Sequence, residues 1–448
     1  MIRIKDFIKA KLNLSPTKKK IAKNIYWATL GKVIGMLAQL FVGILVARYL
    51  GPEQYGLMNY VISYVAIFEV ISEFGLSNIE IRELSSKKND RNKILGSAFI
   101  VRLLFTIIAY LLLAISLILY KADSFTTTMI LVYGLYIFTK CFIVIRNYFT
   151  SIILNEYVVK TEIFRTFVGA LIKVILLLMH APLAWFILAV AFDGFIVASG
   201  YIFNYHQKVG KLRNWTFEKK EALYLAKEGF PLLLSSAAII VYNKIDQVMI
   251  GNMIDNTHVG YYATAEKFLT LILFIPQILV QTVTPLLVQK YELDYQAYLK
   301  MRKQFIGIIV WTAIIISASV SICSYWLINL TFGHTYILAV PVLSIIAWKT
   351  VGNALSETSG QLIILEKKQK WAVFRNLIGC ILNVGLNLIL IPKLGIIGSA
   401  WVSLITIFAS GVIANGIIPP YRSIFKDQIT AICKGWNYIL NIKNITNK

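Results

Sequence analysis

The sequence contains few acidic residues, few cysteines and few histidines. Asp and Glu together number 22 in a chain of 448 residues, and there are four cysteines and four histidines. Cys141, Cys323, Cys380 and Cys433 lie far apart, and no pair has the spacing of a metal-ligand motif or of a disulfide framework. The histidines are equally scattered. These absences exclude a zinc-binding domain and a small disulfide-stabilised domain.

The signatures of common catalytic sites are also missing. The sequence has no G-x-x-x-x-G-K-[ST] phosphate-binding loop, no H-E-x-x-H zinc motif and no G-x-S-x-G nucleophile motif. Its predicted outer loops are only a few residues long, which is too short for a catalytic domain. We therefore expect no enzymatic activity, no catalytic residues and no bound metal or cofactor.

Apolar residues, by contrast, are abundant. Hydrophobic residues make up 58% of the chain, and mean hydropathy is +0.69, too apolar for a soluble domain of this length. Runs of about 18 or more apolar residues predict membrane-spanning helices. The net charge is +23. We attribute it to Lys and Arg in cytoplasmic loops rather than to nucleic-acid binding.

The apolar runs predict an all-α integral membrane protein with about twelve transmembrane helices. The predicted spans are 22–48, 53–80, 94–120, 126–152, 159–180, 183–205, 224–252, 258–288, 304–329, 336–364, 371–391 and 396–418. Every second loop is basic: the N-terminus, 82–93, Lys160, 208–220, 290–303, 367–370 and 422–434. The other loops contain only Arg48, Lys121 and Lys393. By the positive-inside rule, this alternation places both termini in the cytoplasm.

The predicted spans fall into two halves. A Gly-Pro turn at Gly51-Pro52 ends one apolar run, and a looser version of the same pattern recurs over residues 243–262. We divide the chain into a basic N-terminal segment (1–21), an N-lobe (22–205), a linker (206–223), a C-lobe (224–418) and a C-terminal segment (419–448). Because six is an even number of spans, the lobes would be parallel repeats around a pseudo-two-fold axis along the membrane normal. We expect a central cavity between them and, since one chain supplies both halves, a monomer.

Two segments outside the spans predict helices on the membrane surface. Residues 1–14 alternate basic and apolar side chains, a pattern that fits a solvated tail equally well. Residues 421–440 place Ile424, Phe425, Ile429, Ile432 and Trp436 on roughly one face.

Charged residues within the spans are the candidate functional residues, because each costs about 2.5–3.5 kcal/mol at a helix centre. Those predicted in or near the membrane core are Glu69, Glu73, Lys140, Lys173, Asp193, Lys244, Asp246, Glu266, Lys267, Lys349 and Glu357. The lysines line a cationic cavity for an anionic substrate or form structural ion pairs with nearby carboxylates. Glu69 and Glu73 share a helix face, which fits either a satisfied structural pair or an ion-coupling site with a protonated carboxyl or a bound cation. Arg102, Arg146, Arg165 and Arg375 lie nearer the span ends, and we expect their side chains to reach the headgroups.

Three motifs resemble those of the polysaccharide exporters that move lipid-linked oligosaccharides, in the multidrug/oligosaccharidyl-lipid/polysaccharide superfamily. Val46–Gly56 (VARYLGPEQYG) resembles the first outer turn of that family. Tyr242–Gly251 (YNKIDQVMIG), followed by GYYATA at 260–265, is similar to its seventh-helix region. Asn383–Asn387 and Leu390–Ala400 (LIPKLGIIGSA) resemble its eleventh and twelfth helices.

The resemblance implies a flippase for undecaprenyl-diphosphate-linked oligosaccharide repeat units. Such a protein carries the lipid to the outer leaflet of the bacterial inner membrane by alternating access, using a proton or sodium gradient, for O-antigen, capsule or exopolysaccharide synthesis. Its expected partners are the glycan lipid, membrane lipids, a polymerase and glycosyltransferases, and not nucleic acid. The candidate substrate-binding cations are Arg48, Lys140, Lys173, Lys244 and Lys349, and the candidate ion-coupling groups are Glu69, Glu73, Asp193 and Asp246. A multidrug or cation exporter and a lipid II flippase are the alternatives.

Overall fold

A computed structural model describes residues 16–86, 90–120 and 123–440, and of residues 16–30, 32, 33, 120, 439 and 440 it describes the backbone alone. The surface helix predicted over residues 1–14 lies outside these ranges, as do Lys87, Lys88 and Lys121 of the predicted loops. All regular elements within them are helical.

The first part of the chain forms seven α-helices. They are α1 (Pro16–Glu73), α2 (Ser77–Ser85), α3 (Arg91–Tyr120), α4 (Ser124–Gly134), α5 (Ile143–Ser151), α6 (Asn155–Leu178) and α7 (Leu183–Lys208). A 3-10 helix, Leu135–Phe142, joins α4 to α5 without interrupting the span. It carries Lys140, one of the candidate residues.

The second part forms nine more. They are α8 (Lys219–Met253), α9 (Asn256–Leu293), α10 (Tyr295–Thr331), α11 (Ala339–Ile346), α12 (Lys349–Leu365), α13 (Ala372–Phe408), α14 (Ala414–Ile417), α15 (Arg422–Lys434) and α16 (Trp436–Leu440). A π-helical turn, Ala409–Ile413, joins α13 to α14.

Two of the long helices are each two spans joined at a glycine. Gly51 in α1 has φ 71° and Gly395 in α13 has φ 60°, a region that favours glycine. Pro52 begins the helix after the first kink, as the Gly-Pro signal predicts. In the described residues nine helical segments are long and apolar enough to span a membrane. Two of these segments contain the kinks and count as two spans each, which gives eleven spans. The more polar α6 is the twelfth, so the twelve predicted spans are confirmed.

The polarity of the surface confirms that this is a multi-pass membrane protein. Large apolar side chains point outward, including Leu119 (79% exposed) and Phe41 (71% exposed). Charged side chains are instead buried, among them Arg102 and Asp246. A soluble protein of this size rarely exposes apolar surface on this scale, whereas a lipid environment favours it.

The chain divides into two compact units. Unit 1 contains residues 1–43 and 68–233, and unit 2 contains residues 44–67 and 234–448. Unit 1 has a hydrophobic core that includes Leu95, Val144 and Phe149. The core of unit 2 forms mainly where α9, α10, α12 and α15 pack together. The turn at Gly51 and the first half of the second span therefore pack with the C-terminal part of the chain.

The C-terminal helix α15 differs from the predicted surface helix. Ile424 is buried and Phe425 and Ile432 pack on the core, but Ile429 and Trp436 are exposed. The rest of the buried face is polar, because Asp427 and Gln428 are inside. Their side chains bind groups within unit 2, so α15 is part of the bundle rather than a helix lying only on lipid.

An ion-pair cluster fastens α15 to the bundle. Arg302 of α10 contacts Glu366 Oε1 with Nη1 at 2.8 Å and Asp427 Oδ2 with Nε at 2.7 Å. Lys368 and Tyr298 also donate to the Glu366 carboxylate, at 2.5 and 2.8 Å. Burial by itself would raise the pKa of Glu366. The hydrogen bonds from Lys368 and Tyr298 and the charges of Lys368 and Arg302 outweigh it, so its pKa is below the usual 4.5.

This cluster predicts a pH-dependent difference between wild type and Glu366→Gln. Since the folded pKa is lowered, the ionised carboxylate stabilises the fold above its usual pKa of 4.5, and this contribution is lost as pH falls through the lowered value. We expect a higher Tm for wild type at neutral pH and a shrinking difference below about pH 4.5. Thermal unfolding of both proteins from pH 7 to 3 would measure it. A constant difference across that range would contradict the assignment.

Candidate functional site

Unit 2 encloses a polar cavity of about 670 Å³ among α8, α9, α12 and α13. Lys349, Asn353, Ser356 and Gly360 of α12 line it at spacings of three and four residues, so one helix face is the wall. Its charged side chains are Lys244, Lys349, Arg375, Glu266 and Glu357, and its amide side chains are Asn243, Gln277, Gln281, Asn353 and Gln361. The lining therefore combines a small excess of cations with many groups that both donate and accept hydrogen bonds.

Within this cavity Lys244 and Glu266 face each other, with 3.8 Å between the ammonium nitrogen and a carboxylate oxygen. Gln247 donates to the same carboxylate at 2.7 Å and accepts from Ser63 at 2.7 Å. Arg375 is buried and donates to the Ser359 hydroxyl at 3.1 Å. These bonds fix the orientation of the charged groups along the wall.

Asp246 lies behind the cavity and is fully buried. Its Oδ1 accepts from the amides of Asn383 (3.1 Å) and Asn387 (2.7 Å), and its Oδ2 accepts from the hydroxyls of Tyr262 (2.9 Å) and Ser403 (2.5 Å). Residues from α8, α9 and both halves of α13 thus meet at one carboxylate. Lys244 and Asp246, two residues apart, have different surroundings because that spacing turns them to different helix faces.

Unit 1 has a smaller cavity, of about 300 Å³. Its polar lining consists of Tyr133, Tyr136, Thr139, Lys140, Arg146, Glu162, Arg165, Asp193 and Tyr201. The rings of Tyr133 and Tyr136 stack with their centroids 5.6 Å apart, and the Lys140 ammonium lies 4.8 Å from the centre of the Tyr136 ring. Tyr201 donates to Glu162 at 3.0 Å. Aromatic faces and charges of both signs therefore line this cavity.

The predicted core lysines of unit 1 have carboxylate partners. Lys140 forms an ion pair with Glu69, and Lys173 with Asp193 at 2.8 Å. Glu73 lies within electrostatic range of Lys140. The two glutamates that share a helix face are thus next to a cation, which weakens their mutual repulsion. The substrate and ion-coupling roles given to these residues stay predictions.

Arg48 is placed differently from the other candidate cations. Its side chain is exposed, and Nη2 donates to the carbonyl oxygen of Leu330 at 2.7 Å, near the end of α10. It lines neither of the two cavities above. The neighbouring Ala47 carbonyl accepts from the Tyr336 hydroxyl at 2.6 Å. Arg48 therefore stabilises the packing of the turn at Gly51 within unit 2, and its role as a substrate-binding cation stays a prediction.

The expectation that four arginines extend to the headgroups is wrong for Arg102 and Arg375, whose side chains are buried. Arg102 is fully buried against Glu80, at 2.7 Å. Arg375 lines the cavity of unit 2, and Arg146 and Arg165 line that of unit 1. Distance from a span end does not reveal which way a side chain turns, and here Glu80 and Ser359 hold the guanidinium groups of Arg102 and Arg375 inside the protein.

Several site residues escaped the sequence analysis. The cavity amides were not among the candidate residues, because those were selected by charge and an amide side chain is neutral. Asn383 and Asn387 are separated by one helical turn within an apolar run, and that spacing was a usable sign of a buried polar site. Ser403 gave no sign at all, since serine is common in membrane helices. Within the described ranges, no cluster of three or more His, Cys, Asp or Glu residues could hold a metal.

The long apolar helices and the polar cavities inside each unit define a multi-pass membrane protein with polar sites in its interior. Residues 21–291 match the family described as "Polysaccharide biosynthesis protein". The match covers more than half of the chain, so this protein belongs to that family. The relationship confirms the resemblance of the motifs at Val46–Gly56 and Tyr242–Gly251.

Known relatives agree with this placement. An uncharacterized membrane protein of Methanocaldococcus jannaschii is 20% identical over 415 residues, which are 86% of this chain and 81% of the relative. The structure of the lipid II flippase MurJ in an inward closed conformation is similar with a TM-score of 0.65 and 15% identity, covering 94% of this chain and 93% of the other. An inward-facing multidrug MATE transporter gives 0.63 and 13%, covering 95% and 99%.

These structures share the twelve-helix, two-lobe fold of the multidrug/oligosaccharidyl-lipid/polysaccharide superfamily, which confirms the predicted fold class. These two structures are those of a lipid II flippase and of a multidrug transporter. The chain is therefore a multi-pass membrane protein of the polysaccharide biosynthesis family.

Proposed function

We propose that this protein translocates undecaprenyl-diphosphate-linked oligosaccharide repeat units from the cytoplasmic to the outer leaflet of a bacterial inner membrane. Translocation proceeds by alternating access, is driven by a proton or sodium gradient, and supplies synthesis of O-antigen, capsule or exopolysaccharide. The observation that carries the proposal is the composition of the unit 2 cavity, in a chain that belongs to the polysaccharide biosynthesis family.

The cavity suits the two polar parts of such a lipid. A diphosphate is stabilised by charge-assisted hydrogen bonds, which Lys244, Lys349 and Arg375 supply. Sugar hydroxyls donate and accept hydrogen bonds, as do asparagine and glutamine amides. The volume of about 670 Å³ lies within the range of small-molecule sites, about 300–1,000 Å³. The prenyl chain needs no polar site, because it stays in lipid.

Similar structures have two other functions, and an experiment distinguishes each of them from the proposed one. The similar MurJ structure is a lipid II flippase, and two similar structures are multidrug transporters. Glu266 and Glu357 in the cavity offer charge for a cationic compound. Three cationic groups outnumber these two carboxylates, which favours an anionic substrate.

The test is leaflet exchange in sealed liposomes. Purified protein would be reconstituted with a fluorescent undecaprenyl-diphosphate oligosaccharide, and the outward fraction measured with and without a proton or a sodium gradient. Parallel samples would contain fluorescent lipid II or a cationic dye. Exchange of the oligosaccharide lipid, accelerated by one gradient, is the expected result. Transport of the dye alone, or of lipid II alone, would replace the proposal with the corresponding alternative.

Cavity variants sharpen this assay. We expect Lys244→Ala, Lys349→Ala and Arg375→Ala each to slow exchange about tenfold, since each removes a charge-assisted contact worth roughly 1.5–3 kcal/mol to the diphosphate. Lys393→Ala is the matched control, because Lys393 is exposed at the turn inside α13 and lines neither cavity. Equal rates for all four variants would show that the cavity does not hold the substrate.

The remaining proposals concern orientation and partners. We propose cytoplasmic termini, a monomer, and interaction with a polymerase and glycosyltransferases of the same glycan. Protease cleavage of terminal tags in right-side-out and inverted vesicles tests the orientation. Mass photometry in detergent tests the monomer, and co-purification tests the partners. Cleavage of either tag from outside intact cells would refute the assigned topology.

A further inference from the structure

Asp246 is a buried carboxylate whose direct partners are all neutral. Four donors surround it, namely two asparagine amides and the hydroxyls of Tyr262 and Ser403. No lysine, arginine or histidine within the described ranges forms a direct ion pair with it. A buried negative charge is costly unless a positive charge lies near.

Lys349 supplies a positive charge that is connected to Asp246 through one hydroxyl group. It is the first residue of α12, is only 5% exposed, and donates from Nζ to the Ser403 hydroxyl at 2.7 Å. Ser403 in turn donates to Asp246 at 2.5 Å. A hydroxyl donates one hydrogen bond while accepting others, so Ser403 connects the ammonium to the carboxylate. Among the described residues Lys349 has no carboxylate within ion-pair distance.

Lys349 also lines the unit 2 cavity, so it has access to two different anions. One is Asp246 behind the wall, and the other is the diphosphate that the proposed function places in the cavity. A lysine carries a compact charge on a flexible four-carbon stem, which allows the ammonium to turn without moving the helix. The other two cavity cations differ: Lys244 faces Glu266 at 3.8 Å and Arg375 donates to Ser359.

We propose that Lys349 is shared between Asp246 and the substrate diphosphate. With the cavity empty, Ser403 holds the ammonium as the counter-charge of Asp246. Substrate entering the cavity draws the ammonium to the diphosphate, and Asp246 loses that counter-charge. The two anions thus compete for one lysine, so each weakens the interaction of the other with it. This inference rests on the proposed function for the identity of the cavity anion.

The competition predicts that substitutions of Asp246 and of Lys349 have opposite effects on diphosphate binding. Binding of farnesyl diphosphate to the purified full-length protein in detergent would be measured at fixed salt. Asp246→Asn neutralises the competitor, so we expect about tenfold tighter binding, whereas Lys349→Met should bind about tenfold more weakly. In the double variant the gain from Asp246→Asn should disappear. A purely structural role for Asp246 would instead weaken binding in both single variants.

Lys244→Met is the matched control. It removes a cavity lysine that does not contact Ser403, so Asp246→Asn should still tighten binding in that background. The proposal would be overturned if the gain from Asp246→Asn persisted in the Lys349→Met background. It would also be overturned if folded Asp246→Asn protein showed no gain. If Asp246→Asn fails to fold, Ser403→Ala breaks the same connection while both charges remain. It should also tighten binding, and Ser403→Thr, which keeps the hydroxyl, should restore wild-type affinity.

A thermal measurement separates this inference from the proposed function. If wild-type protein does not bind the diphosphate, the substrate assignment and the competition both fail. The pairing of the two charges is then judged by Tm alone. Lys349→Met should lower Tm, and adding Asp246→Asn should recover part of the loss, because the uncompensated charge is removed. Additive losses in the double variant would overturn the pairing.

Discussion

Replacing Glu80 with alanine should remove most of the folded protein. Glu80 of α2 accepts from Arg102 at 2.7 Å and from Asn147 at 2.5 Å, and Glu80, Arg102 and Asn147 are fully buried. Without the carboxylate, the Arg102 guanidinium still donates to the Ser77 hydroxyl at 3.2 Å, but it has no ion-pair partner at that position. Removing one member of a buried ion pair costs about 3–5 kcal/mol. Folded yield in detergent and Tm would measure the loss.

Glu83→Ala is the control for this prediction. Glu83 lies on the same helix, but its partners Arg82 and Tyr224 are both exposed, so the substitution should change stability by about 1 kcal/mol or less. The double variant Glu80→Leu/Arg102→Leu should be more stable than Glu80→Ala, because it leaves no unpaired charge. Normal yield and Tm for Glu80→Ala would show that the pair is dispensable.

Alanine at Gly56 or Gly260 should separate two segments of unit 2 that pack backbone to backbone. A Cβ at Gly56 would lie 1.7 Å from the carbonyl oxygen of Asn256, and one at Gly260 would lie 2.1 Å from that of Pro52. Backbone atoms cannot turn aside as a flexible side chain does, so the helices must move apart. We expect a loss of about 1–3 kcal/mol or more for each variant. Hydrogen exchange should rise in residues 50–60 and 256–262.

Gly385→Ala provides a control of opposite sign. Gly385 is an exposed position of α13 with nothing within 4 Å of a built Cβ. Alanine is favoured over glycine in a helix by up to about 1 kcal/mol, so this variant should be neutral or slightly more stable. If Gly56→Ala and Gly385→Ala behaved alike, the close approach at Gly56 would not limit stability.

The close contact also connects two motifs that the sequence analysis treated as a repeated pattern. Gly56 and Gly260 each follow a polar turn, and the repetition pointed to two related halves. The sequence gives no indication that residues 44–67 pack with the C-terminal part of the chain. Such packing depends on contacts between distant residues, which hydropathy along the chain does not record.

Local chemistry determined much of this protein. The apolar runs and the break at Gly51-Pro52 specified twelve spans, because lipid requires continuous helices of a certain length. The motifs specified the family. The energetic cost of charge in lipid also selected Lys349 and Asp246 as important residues. Each of these inferences uses only neighbours in the sequence or one property of one side chain.

The tertiary structure decided which charges meet, and with them the candidate site. Lys140 and Lys173 have carboxylate partners in unit 1, whereas Lys349 reaches Asp246 only through Ser403. Arg102 and Arg375 turn inward, and Arg48 binds a helix end. The rotation of each helix about its axis is set by packing against other helices, which together choose the face that lines a cavity. That choice is a property of the assembled bundle, and no single span contains it.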